Sequence, residues 1–151
     1  NKFIHRYVRA NEGEFEFEIK NPNKKKIEEK ILDMQSIGDG HFATLSEKTI
    51  TVYNSKIKKV NPTEMIISNK KDSFKLFKVY GKFIFVIEGN NKIIAINIST
   101  YSEKTFTSKN KTIFNDIRFM DVYEDENNIN IVTSTIKEIY INPITIKSLP
   151  K

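Results

Sequence analysis

Two histidines, one cluster of carboxylates and three runs of lysine are the groups in this 151-residue chain whose types could do chemistry. His5 and His41 are far apart in sequence, and neither has another plausible metal ligand within a few residues, so each reads as a surface or turn residue. Asp121, Glu124, Asp125 and Glu126 lie close together, but without the Gly hinge and terminal Glu of an EF-hand loop. They read as a solvated hairpin turn. The chain contains no nucleophile elbow, P-loop, dinucleotide fingerprint or zinc-binding helix motif. No spacing of carboxylates marks a general acid/base pair. The expectation is therefore a protein that is not an enzyme, with no catalytic residue, no cofactor and no metal.

The lysine runs are Lys24-Lys25-Lys26, Lys58-Lys59 and Lys70-Lys71, in a chain of net charge +6. Such a balance permits contact with phosphates. Lys greatly outnumbers Arg, however, whereas specific phosphate and base recognition favours the guanidinium fork. The abundance of Asn, Ile and Lys is what AT-rich coding produces. The charge reads first as solvated surface. The sharper alternative is a basic RNA-contacting subunit of a ribonucleoprotein complex, using these seven lysines.

Composition sets the frame for these groups. Hydrophobic residues make up 38% and aromatics 11% of the chain, enough for one folded domain. There is no cysteine, which removes disulfides and thiolate metal sites and leans towards a reducing compartment. No apolar run is long enough to span a membrane. The chain begins Asn1-Lys2-Phe3, without Met, and reads as an excised domain, a processed product or a piece of something longer. Asn97 and Asn110 head N-x-[ST] sequons, which chance explains in a chain so rich in Asn.

The elements that must position these residues are strands. Glu14-Phe15-Glu16-Phe17-Glu18-Ile19 alternates charged and apolar residues, as a half-buried edge strand does. Residues 3–8 are its expected hairpin partner, followed by the polar loop Asn21-Pro22-Asn23-Lys24-Lys25-Lys26. From Ile31 the chain repeats itself. Ile31, Phe74 and Ile117 each open an apolar strand, 43 residues apart. Second strands are expected at 41–46, 83–88 and 129–133. Third strands end at Val52-Tyr53-Asn54, Ala95-Ile96-Asn97 and Tyr140-Ile141-Asn142, with Tyr53, Ile96 and Ile141 buried and the Asn residues beginning turns. Fourth strands follow at 56–60, 103–107 and 144–148. Met65-Ile66-Ile67, in the first linker, reads as a short strand or buried clasp. Tyr53 and Phe77 fall in strand registers and read as core.

The stretch from Asp39-Gly40-His41 to Thr49-Ile50-Thr51-Val52-Tyr53-Asn54 resembles the middle of a WD-repeat blade, with Tyr53-Asn54 where that family has Trp-Asp. Gly81-Lys82-Phe83-Ile84-Phe85-Val86 and Ile96-Asn97-Ile98-Ser99-Thr100 echo the same frame. With no Trp in the chain, the hydrogen-bonded Asp–His–Ser/Thr–Trp network of regular WD blades is absent. The resemblance implies an all-β fold of four-stranded antiparallel blades, a partial β-propeller. Residues 1–30 would be an N-terminal hairpin and polar linker, suited to the outer strands of a preceding blade. Blades would occupy 31–62, 73–108 and 116–149 of the region 31–151. A β-trefoil, also three four-stranded repeats, is the alternative architecture.

Propellers close with about four to eight blades, so three leave open faces. The implied role is a non-catalytic protein–protein interaction scaffold in a multisubunit assembly, intracellular (cytoplasmic or nuclear). Its partners would be other protein subunits, or the rest of a longer chain, completing the propeller.

Overall fold

The apolar runs become antiparallel β-strands in the computed structural model, which describes residues 3–5, 24–26, 30–54, 66–67 and 72–151. A short hairpin pairs β1 (Phe3–His5) with β2 (Lys24–Lys26). Three meanders follow in chain order. Sheet one holds β3 (Asp33–Gly38), β4 (His41–Leu45), β5 (Thr49–Asn54) and β6 (Ile66–Ile67). Sheet two holds β7 (Phe74–Tyr80), β8 (Phe83–Glu88), β9 (Lys92–Asn97) and β10 (Glu103–Thr107). Sheet three has three strands, β11 (Phe119–Glu124), β12 (Asn128–Ser134) and β13 (Ile139–Thr145), and then a 3-10 turn at Ile146–Ser148.

The sheets stack face to face. Each has a forward face, turned towards the next sheet in chain order, and a rear face. Ala43, Leu45, Ile50 and Val52 on the forward face of sheet one pack on Phe77, Ile84, Val86, Ile94 and Ile96 on the rear face of sheet two. Phe83, Phe85, Ile87, Ile93 and Ala95 on the forward face of sheet two pack on Val122, Ile129, Ile131 and Ile144 of sheet three. This explains a sequence contrast. The middle sheet is covered on both sides, so β8 is the unbroken run Phe-Ile-Phe-Val-Ile-Glu, buried throughout. Full burial of each large side chain contributes about 1.5–3 kcal/mol. The result is an all-β stack of antiparallel blades, the arrangement of a partial β-propeller. A trefoil would pair strands of different repeats, whereas among the described residues the three sheets share no strand pairing.

Several expectations are corrected. The fourth strand expected at 144–148 does not form, because Ile144 pairs with Ile129 and is buried in the second core, which carries β13 past Asn142. Ile141 is exposed, not buried like Tyr53 and Ile96. The cause lies in the turns. Sheet two joins its second and third strands through Gly89, Asn90 and Asn91, between the paired residues Glu88 and Lys92. Sheets one and three use the two-residue turns Glu47-Lys48 and Ile136-Lys137, closed by Ser46 N–H to the Thr49 carbonyl and Thr135 N–H to the Glu138 carbonyl, both at 2.9 Å. The ending expected at Ile141 therefore falls one residue out of step with the register of sheet three, and one residue reverses every side chain in a strand. The structural partner of Tyr53 in sheet three is therefore Asn142, and that of Val52 is Ile141.

At the N-terminus, β1 pairs with Lys24–Lys26, so part of the expected polar loop is a strand. The strand expected at 14–19 and the fourth strand expected at 56–60 lie outside the described residues. The fourth strand observed in sheet one is β6, inside the predicted clasp.

Candidate functional site

The forward face of sheet three has no neighbour among the described residues, and several of the side chains on it are large and apolar. Phe119 on β11 is 73% exposed, and Ile139 and Ile141 on β13 are 74% and 57% exposed. Ile136, in the turn before β13, is 81% exposed. Ile50 and Val52, the matching residues of sheet one, are 0% and 2% exposed under sheet two. A cluster of large exposed apolar side chains on one sheet face marks an interaction surface.

Three further features recur from sheet to sheet and break off at this face. The first is a ladder on the innermost strands at Gln35, Lys78 and Asp121, spaced 43 residues apart. Gln35 Nε2 donates to the Phe77 carbonyl at 2.8 Å, and Gln35 Oε1 accepts from Val79 N–H at 3.0 Å. Lys78 Nζ reaches Asp121 Oδ1 at 3.0 Å. Asp121, the last rung, has its side chain 71% exposed. The hydrogen bond from Lys78, with the backbone N–H of Val122, holds its carboxyl below the usual carboxylate range.

The second feature is the outer turn. Its carbonyl accepts an N–H from the segment leading into the next sheet, Phe74 to Glu47 at 2.9 Å and Phe114 to Asn90 at 2.8 Å. The turn at Ile136-Lys137 has no such successor among the described residues. The third is the fourth strand, which sheet three lacks among the described residues.

Beside this face an open groove of about 570 Å³ is lined by Asn115, Asp116, Arg118, Ile136, Lys137 and Tyr140, among others. The Arg118 guanidinium has no hydrogen bond or ion pair among the described residues. Tyr140 Oη donates to Glu138 Oε2, and that bond pushes the phenol above its usual range. At the other end of the groove's supporting loop, Lys75 Nζ donates to Asn90 Oδ1 at 2.7 Å and the Phe114 carbonyl at 2.9 Å. Burial pulls that ammonium below the usual lysine range, against the opposing effect of Asp116.

Lys24, Lys25 and Lys26 form β2, and Lys58, Lys59, Lys70 and Lys71 lie outside the described residues. Several lysines of sheet two are committed internally. Lys92 Nζ sits 2.6 Å from Asp72 Oδ2 and 3.5 Å from Glu88 Oε2, and Lys82 and Lys104 lie over the Phe83 and Phe106 rings. Of the other candidates, Asp125 caps the β11–β12 hairpin by accepting from Asn130 Nδ2 at 2.7 Å and from the N–H groups of Asn127 and Asn128. His41 Nδ1 is 2.9 Å from the Asp39 carbonyl. Tyr53 is core, stacked on Phe42 with ring centroids 5.3 Å apart. Asn97 is buried, and its Oδ1 accepts from Ser99 N–H, so its sequon is closed to a glycan in the folded chain.

The apolar face was missed in the sequence because its residues were read in the wrong parity. A signal was present in Ile136, Ile139 and Ile141, since a turn and an edge strand need no such series of isoleucines.

No family model matches the chain, and no curated protein matches it as a relative. Among solved structures it is similar to the N-terminal domain of Nup159, with a TM-score of 0.49 and 9% identity, over 83% of this chain and 33% of that one. It is also similar to a chain of the Mitotic Checkpoint Complex, with a TM-score of 0.48 and 12% identity, over 95% of this chain and 50% of that one. The chain thus spans about a third of the first and half of the second.

Proposed function

We propose that this chain is a non-catalytic protein-interaction scaffold, a run of WD-repeat-like β-blades whose forward face on sheet three docks a further β-sheet in a larger assembly. The observation that carries this reading is the exposure of Ile139 and Ile141 at positions where sheet one buries Ile50 and Val52. The covering sheet belongs to another subunit or to the remainder of a longer chain, and residues 1–30 serve the outer part of a preceding blade. Asp121, as the last rung of the ladder, calls for a hydrogen-bond donor or cation on the covering sheet. The absence of cysteine fits a reducing, intracellular setting.

The test is the solution behaviour of the isolated chain. Multi-angle light scattering should show concentration-dependent self-association, with strong binding of a hydrophobic dye. Ile139→Lys with Ile141→Lys should abolish both and leave the cooperative thermal transition in place. A monodisperse, dye-silent wild-type chain would sink the proposal.

A further inference from the structure

We propose that the foot of sheets two and three is a peptide-binding slot, which the chain fills with its own residues Leu149–Lys151 as a releasable strap. The foot is the end that carries the β9–β10 turn and the β11–β12 hairpin. The slot takes an extended segment with leucine before proline and free main-chain carbonyls. It shares no residue with the forward face of sheet three or with the groove beside that face.

The strap is extended because its sequence makes it so. The 3-10 turn at Ile146–Ser148 gives way to Leu149, whose φ of −68° and ψ of 156° are those of polyproline II. A residue before proline is pushed out of the helical region and into this one, so Pro150 ends the turn and straightens the segment. Polyproline II makes no hydrogen bonds of its own, which leaves its carbonyls to outside donors. Leu149 and Pro150 are buried, Leu149 in the cluster that holds Phe83, Ile129 and Ile144, and Lys151 is exposed. The segment pairs with no strand among the described residues. Its main-chain tie to sheet three is Ile146 N–H to the Asn127 carbonyl at 3.0 Å. An element held by so few bonds opens at lower free energy than the sheets it covers.

Sheet two supplies the donors from a single turn. Asn97 is 4% exposed, and its Oδ1 accepts from the N–H groups of Ser99 and Thr100 at 2.9 and 3.4 Å. That leaves Nδ2 for the strap, where it donates to the Pro150 carbonyl at 3.5 Å. Thr100 Oγ1 donates to the Lys151 carbonyl at 2.8 Å, and Ser102 Oγ donates to the same oxygen. Tyr101 sits between these two at φ +58°, a left-handed conformation that bulky residues rarely adopt, and its N–H is held by the Asn97 carbonyl at 2.8 Å. With Tyr101 so placed, the hydroxyls on either side of it converge on one acceptor. The slot thus reads main-chain carbonyls and an apolar Leu-Pro pair, and nothing in those contacts depends on the segment being part of this chain. Preformed proline-containing segments are recognised in this way because little ordering entropy is left to lose.

Amide hydrogen exchange on the whole chain reads the release, and a capped peptide Ile-Lys-Ser-Leu-Pro-Lys reads the slot. In the wild-type chain the amides of Ile146 and Leu149 should exchange at least about tenfold faster than those of Val86 and Ile131. Leu149→Asp should expel the strap, and the peptide should then bind at least about tenfold more tightly than it does to the wild-type chain. Binding should shift the side-chain amide resonances of Asn97, and a peptide with aspartate in place of its leucine should not bind. Thr100→Val with Ser102→Ala, added to Leu149→Asp, should weaken the peptide about tenfold. Should Leu149→Asp fail to fold, Leu149→Ala serves with a smaller gain in the same direction. Exchange of Ile146 and Leu149 only in step with the sheet amides would make the strap a fixed part of the core and overturn its release. A folded Leu149 variant that ignores the peptide, or binds it equally without the two hydroxyls, overturns the slot.

Discussion

Sheets one and three are built on the same hairpin and meet opposite fates. Ser46 Oγ accepts from the N–H groups of Lys48 and Thr49, and Thr135 Oγ1 accepts from those of Lys137 and Glu138. From that shared turn each third strand sets two β-branched residues on its forward face, Ile50 and Val52 in one and Ile139 and Ile141 in the other. Sheet two buries the first pair, and the second pair faces solvent. An identical local pattern thus yields core in one place and surface in another. What separates them is the presence of a following sheet, a property of the stack and not of the strand.

The sharpest way to break this comparison is by truncation. Ile96→Ala, in the first core, should cost about 2–5 kcal/mol through lost burial and a residual cavity. Ile141→Ala should stay within about 0.5 kcal/mol, as exposed substitutions do. Chemical denaturation of both variants checks this. Equal losses would mean that the forward face of sheet three is covered in solution.

Turn geometry gives the next largest effect. Gly89 has φ +59°, and a Cβ there would lie 3.0 Å from Asp72 Cγ, the carboxylate that holds Lys92. Gly81 has φ +54° with open space around it. Gly81→Ala should cost about 1–2 kcal/mol of backbone strain alone. Gly89→Ala should cost more, because Asp72 must also move. Thermal melts showing the two variants to be equal would mean that the contact with Asp72 adds nothing to the backbone strain.

Smaller again is a pair of threonines at matching positions. Thr44 Oγ1 donates to the Thr51 carbonyl at 3.4 Å, whereas the Thr133 hydroxyl is buried without a partner among the described residues. Thr133→Val should be neutral or stabilising and Thr44→Val destabilising, by about 1 kcal/mol in each direction. The same denaturation series would show it.

The smallest effect is a pH dependence confined to sheet three. The side chain of Asn130, then the N–H groups of Asn127 and Asn128, hold the Asp125 carboxyl below its usual range. A carboxyl lowered on folding contributes stability above its unfolded pKa of about 3.9, and loses it as the pH falls through the folded value. Amide protection at Asn127 and Asn128 should therefore fall as the solution is acidified below about pH 4. Asp125→Asn should abolish that dependence, and an unchanged profile in that variant would rule out Asp125 as its origin.

The all-β class and the strands themselves were legible in the residues. The run at Phe83–Glu88 and the segment at Glu103–Thr107 are both strands at their expected bounds. The 43-residue repeat holds on the innermost strands, where Gln35, Lys78 and Asp121 keep step. It fails after the turns, where one residue more or less is cheap in a loop and reverses the parity of the next strand. That is why Ile141 was expected in the core and Asn142 in a turn. Periodicity can say that a strand has an apolar side, but not whether anything lies against it. Burial is a relation between elements, so only the stacking of the sheets decided that Ile50 is core and that Ile139 is surface.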